Sequence, residues 1–326
     1  MNRIIIILSA LALLTSCIDK TAVQEEGERS IMLRTMTKAS GMVSDAEQTP
    51  VFMFWLDPDH EKFGTEDILP YFASRPDGVV DDYKTIPYDT GYPYPENTTV
   101  HANGYCPSLL TVDEGDGIKP YTSLSVPESL LGSLDITATE GFVHGSAENP
   151  FEADDAQTMV FRHLQSKVNF YAKLGEIPAE KYFRAVNITV PGKDIFTSRI
   201  TWTGDSYAAS EVTTLENAEW NATDQNTNQM DPNEIKPREI GSVYLHPGQT
   251  QIRFHIELQM SESVTFDSYE LIKTEAVVNF TDAYGAGISL EEGEEYDITI
   301  TILYDSFVFK GKKAEWQEGG KIPLPF

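Results

Sequence analysis

Strict alternation of apolar and polar residues leaves a chain few choices, and residues 251–260 show it over their whole length. Ile252, Phe254, Ile256, Leu258 and Met260 alternate with Gln251, Arg253, His255, Glu257 and Gln259. A period of two puts every second side chain on one face of an extended strand, so one face can be buried while the other stays wet. The same period recurs at Tyr296, Ile298, Ile300, Ile302 and Tyr304, set against Asp297, Thr299 and Thr301. In residues 164–174, Leu164, Val168, Phe170, Ala172 and Leu174 oppose Gln165, Lys167, Asn169 and Lys173. Turn formers separate such runs, at Pro191-Gly192, Thr203-Gly204-Asp205, Pro247-Gly248 and residues 283–287. Helical patterning is confined to residues 128–134 and a short turn near Pro178. Short strands divided by frequent turns predict an all-β chain built of β-sandwiches.

At 326 residues the chain is long enough for two such domains. Residues 30–36 and the apolar run 50–56 read as strands, the second buried on both faces. Residues 75–125 are rich in Pro, Tyr, Gly and Asp, and are expected to form loops and sheet edges and no central ladder. The character changes near residues 145–160, which places an N-terminal sandwich at residues 31–157 and a C-terminal one at 158–326. The polar stretch 217–236, with Trp220 inside it, reads as an excursion loop of the second domain.

Residues 1–16 stand apart from this pattern. Arg3 supplies a positive start, and residues 4–14 are apolar except for Ser9. Eleven residues at 1.5 Å rise cannot cross a hydrocarbon core of about 30 Å, so the segment is a targeting signal. Leu14-Thr15-Ser16-Cys17 then resembles the lipobox of bacterial lipoproteins, which makes Cys17 the expected lipidation site and residues 17–30 a tether. With Cys17 acylated, Cys106 has no partner for a disulfide and is expected to be a small buried hydrophobe. Acidic residues outnumber basic ones 51 to 24, and the net charge of −27 is incompatible with holding nucleic acid.

The residue patterns of an enzyme are missing. The six histidines never lie within four positions of one another, and neither a Gly-x-Ser-x-Gly elbow nor a phosphate-binding loop is present. Gly285-Ala286-Gly287 reads as a turn, and the acidic runs 113–117 and 291–295 as solvated turns, so no metal or cofactor is expected. Tyr88, Tyr92, Tyr94 and Tyr105 could stack on sugars, which leaves a surface glycan-binding lipoprotein as an alternative function.

Several segments, in order, resemble the fimbrillin-like family of Bacteroidales, subunits of the type V class of pili. They are the lipobox, Pro93-Tyr94-Pro95, residues 100–108 (Val-His-Ala-Asn-Gly-Tyr-Cys-Pro-Ser), residues 161–170 (Phe-Arg-His-Leu-Gln-Ser-Lys-Val-Asn-Phe) and the closing stretch 296–304 with 314–320. The resemblance implies two β-sandwich domains of transthyretin-like topology on an outer-membrane lipoprotein that becomes part of a surface fimbria supporting adhesion. It further implies that an arginine-specific protease removes an N-terminal strand and that a strand from a neighbouring subunit fills the groove. Ile31 and Leu33 fit the removable strand, with Arg34 or Arg29 as the cut; cutting at Arg34 frees residues 31–33, whereas Arg29 leaves them in place. Ile298, Ile300 and Ile302 are candidates for the donor strand or the groove wall. The implied partners are other fimbrial subunits, the outer membrane through the lipid, and a receptor on a host or bacterial surface.

Overall fold

The computed structural model describes residues 30–37, 51–56, 61–62, 71–72, 86–93, 100–107, 109–112, 123–139, 142–145, 158–176, 180–203, 206–222, 229–230, 236–282, 284–303 and 307–313. The first strands are Ser30–Thr37 (β1), Val51–Leu56 (β2), Glu61–Lys62 (β3), Tyr71–Phe72 (β4), Ile86–Pro93 (β5), Val100–Cys106 (β6) and Thr111–Val112 (β7). Next come Ser123–Ser125 (β8), Thr137–Thr139 (β9), Phe142–Gly145 (β10), Thr158–His163 (β11), Ser166–Leu174 (β12), Tyr182–Pro191 (β13), Thr197–Trp202 (β14) and Tyr207–Val212 (β15). The last are Glu219–Asn221 (β16), Gln229–Met230 (β17), Arg238–Leu245 (β18), Gln251–Ser261 (β19), Glu270–Thr281 (β20), Glu295–Ile302 (β21) and Phe307–Lys313 (β22). The expected helix at 128–134 shrinks to one 3-10 turn, Glu128–Leu130, so the all-β expectation holds.

Three sheets result. The first runs β3-β2-β6-β9-β11-β1-β5, with β10 beside β6 and β4 beside β2. A small sheet, β15-β14-β8-β7, joins strands from both halves of the sequence. The third runs β16-β13-β19-β20-β22-β21-β12-β18, with β17 on β13. Among the described residues its two arms are linked by two register pairs, Phe280 with Gly311 and Thr281 with Lys312. The expected division at 157/158 falls immediately before β11, which pairs with β9 and β1 in the first sheet.

The arms of the third sheet face each other through aromatic rings. Phe170 of β12 meets Phe254 of β19 edge to face at 5.0 Å and stacks on Trp220 of β16 at 6.0 Å. Phe254 meets Phe309 of β22 at 5.6 Å, and Phe280 meets Tyr296 across the seam at 5.5 Å. Such pairs add attraction to the burial of their area. The buried face of β19 follows the period-two pattern from Ile252 to Leu258. Beyond it Met260 is only partly buried, and Gln259, on the opposite face, is covered by Arg184, whose Nε donates to its Oε1 at 2.9 Å.

Two expectations need correction. Residues 100–106 are not loop or edge: β6 pairs with β2, β9 and β10 inside the first sheet. Composition hid this because Asn103 and Gly104 read as turn residues, although they stand in the ladder opposite Met53 and Phe52 of β2. Trp220 is no loop residue either. It lies in β16 against β13, 8% exposed, and its ring closes the sandwich over Phe170.

Candidate functional site

The N-terminal strand β1 is an inner strand of the first sheet. β1 lies between β11 and β5, and its two neighbours hold different parts of it. Ser30, Met32, Leu33, Arg34 and Thr35 stand opposite Pro93, Asp89, Tyr88, Pro87 and Ile86 of β5, antiparallel. Arg34, Thr35, Met36 and Thr37 stand beside Thr158, Met159, Val160 and Phe161 of β11, parallel. The ladders therefore overlap only at Arg34 and Thr35. Ile31 falls at a register shift between Ser30 and Met32, and Leu33 is aligned with Tyr88.

That register fixes what a cut would remove. A break after Arg34 takes away four of the five β5 partners and leaves Thr35 opposite Ile86. On the other side it leaves three of four β11 partners. The ladder vacated by such a cut would be that of β5. Cys17 and the rest of the tether through Arg29 lie outside the described residues, and Ser30 is the first residue of β1. The neighbours of β1, β5 and residues 158–161 of β11, were not read from the sequence as its pairing partners, although Tyr88, Tyr92 and Phe161 were singled out for other reasons.

Ile298, Ile300 and Ile302 sit elsewhere. They lie in β21, fully buried, with β12 parallel on one side and β22 antiparallel on the other. A strand paired along both edges has no free ladder to lend as it stands.

Cys106 and Tyr105 are core residues. Cys106 is 2% exposed, and burial, helped by the negative charge of Asp135, pushes its thiol up to about 12. Such a thiol is no nucleophile. Tyr105 is 2% exposed and packs edge to face on Tyr207 at 5.9 Å, which removes it from any sugar-stacking platform. Tyr94 and the acidic run 113–117 lie outside the described residues. The run 291–295 is a turn around Gly293, whose φ of +72° favours glycine, and lysines neutralise it. Lys313 reaches Glu291 at 2.7 Å and Glu294 at 3.4 Å, and Lys167 reaches Glu295 at 3.1 Å. Gly285-Ala286-Gly287 is also a turn, held by Asp282 Oδ1, which accepts from Tyr284 N and Ala286 N.

A polar pair not read from the sequence lies at one end of the β9–β11 ladder: Asp135 Oδ1 is 2.7 Å from His163 Nδ1. Burial and the nearby Asp135 carboxylate push the Tyr244 phenol upward. Among the described residues no three His, Cys, Asp or Glu side chains are grouped to hold a metal ion, and no helix is long and apolar enough to cross a membrane.

No family model matches the chain, and no curated protein matches it. Solved structures do. A candidate cell adhesion protein from Bacteroides ovatus is 12% identical with a TM-score of 0.49, covering 89% of this chain and 98% of that one. A candidate cell adhesion protein from Bacteroides uniformis is 13% identical with a TM-score of 0.47, covering 88% and 98%. A fimbrial protein from Bacteroides vulgatus is 10% identical with a TM-score of 0.42, covering 88% and 99%.

Proposed function

We propose that this chain is a structural, non-enzymatic subunit of a cell-surface fimbria. It is exported as a lipoprotein through Cys17, joined to its neighbours by exchange of β-strands, and serves adhesion. The observation that carries this reading is the place of β1, an N-terminal strand held in a slot between β11 and β5 with Arg34 inside it. Removing residues up to Arg34 uncovers backbone N–H and C=O groups along β5, and an incoming strand from another subunit satisfies them by main-chain pairing. The lipobox and the ordered sequence segments support the same reading. On this account Ile298, Ile300 and Ile302 belong to the permanent core of the subunit and not to the donor.

Because Arg34 is paired on both sides, a protease cannot draw it into an extended cleft while β1 stays seated. Trimming therefore takes place before β1 docks or as it is displaced. The test is to express the chain with its signal, image surface filaments with antibody, and repeat with Arg34→Ala. Filaments containing the trimmed chain, lost together with trimming in the variant, support the reading. A chain absent from filaments and from the cell surface defeats it.

A further inference from the structure

A second, independent strand edge lies at the far side of the molecule's sequence, on β20. Among the described residues, β19 covers one edge of β20 along its length, whereas β22 meets the other only at Phe280 and Thr281. The backbone N–H of Phe280 donates to Thr250 O at 3.0 Å. Strand groups alternate in direction, so the even-numbered residues of β20 bond towards β19 and residues 271, 273, 275 and 277 direct theirs to the uncovered side. Their side chains lie on the outer face, where Leu271 is 45% and Val277 46% exposed. An uncovered edge with apolar side chains beside it is a template for another strand.

The order of residues along that edge is self-complementary. We infer that β20 pairs with β20 of a second copy of this chain, antiparallel, about a two-fold axis at Thr274. In that register Lys273 faces Glu275 of the second copy, and Leu271 faces Val277 of the second copy, each twice by symmetry. On the other face Ile272, only partly buried within one copy, gains Ala276 of the second copy as a neighbour. The hydrogen-bonding direction allows only registers that match odd residues with odd residues. Centring on Lys273 would oppose two lysines, and centring on Glu275 would oppose two glutamates. Only the Thr274 axis sets Lys273 against Glu275.

The charges continue inward. Lys273 pairs with Glu257 of β19, and Glu275 Oε1 lies 2.5 Å from Arg253 Nη1 with His255 Nδ1 at 4.0 Å from its other oxygen. Across the two-fold this makes rows of alternating sign over four strands, Glu257 and Lys273 of one copy followed by Glu275 and Arg253 of the other. The dimer extends one arm of the sandwich into a continuous sheet. It uses none of the residues around β1, so it stands or falls apart from strand exchange.

The test is sedimentation of the purified full chain over a concentration series, with circular dichroism melting to confirm that each variant is folded. The parent chain forms a reversible dimer. Lys273→Glu or Glu275→Lys alone opposes like charges at both symmetry-related pairs and weakens association on the order of tenfold. The double variant K273E/E275K restores the parent affinity. Thr274→Cys, on the axis at a non-hydrogen-bonded pair with Cα atoms about 4.5 Å apart, forms an interchain disulfide on oxidation. Asn279→Cys, off the axis, does not. A parent chain that stays monomeric, whatever then covers the edge, overturns the proposal. A double variant as weak as the singles, or equal cross-linking at 274 and 279, overturns it too.

Discussion

Arg34 of β1 is aligned with Thr158 of β11, the position at which the parallel ladder between these strands begins. Arg34 is at the same time opposite Pro87 of β5. The residue that best fits the maturation cut is thus locked on both sides in the folded subunit. Limited digestion with an arginine-specific protease should therefore leave residues 34 and 35 joined in the folded chain and separate them quickly once the chain is unfolded. Rapid cleavage at Arg34 in the native state, read by N-terminal sequencing of the products, would show that β1 is not seated in this slot.

Ile300 decides whether β21 is core or donor. It is fully buried between β12 and β22. Ile300→Ala should lower subunit stability by about 2–5 kcal/mol, the usual cost of such a truncation, seen as a lower melting temperature of the isolated chain. An unchanged melt combined with failed assembly would move this residue to an interface between subunits.

Gly311 marks the seam of the sandwich. A Cβ there would lie 2.8 Å from Val278 Cγ1 and 3.4 Å from Asn279 O, so any side chain at 311 forces Val278 to shift where β22 crosses β20. Gly311→Ala should cost about 1–3 kcal/mol by overpacking. Adding Val278→Ala should return part of that loss. Denaturant titration of both variants checks this, and equal stability of Gly311→Ala and the parent would remove the seam from the account.

Cys106 should be inert while the protein is folded. Its thiol is pushed up to about 12, chiefly by burial and then by Asp135. At pH 8 only about one thiol in ten thousand is then ionised, and the thiolate is the reactive form. Peptide mapping after iodoacetamide treatment should find Cys106 unmodified in the native chain and alkylated in denaturant. Fast native alkylation would mean that the packing around β6 and β9 is open.

Strands with one wholly buried face were legible in the sequence. Residues 251–258 and 296–302 alternate because solvent lies on one side only, and both are strands with those apolar residues inside. β6 was not legible, because Asn103 and Gly104 look like turn residues when their sheet neighbours are unknown. Trp220 was masked by the polar residues around it, although one ring is enough to seal the sandwich at that point. Pairing partners were beyond reach for a different reason. That β1 lies between β11 and β5, or that β12 runs parallel to β21, depends on contacts distant in sequence and leaves no local period. Arg34 was therefore legible as a candidate cut, whereas its pairing on both sides was not.

The first residue of the subunit recovered from surface filaments tests the central claim most directly. N-terminal sequencing should find Thr35, the residue left at the head of the chain once β1 has given up its slot beside β5. Assembled subunits that begin at Cys17 or Ser30, and so retain the whole of β1, would contradict assembly by strand exchange.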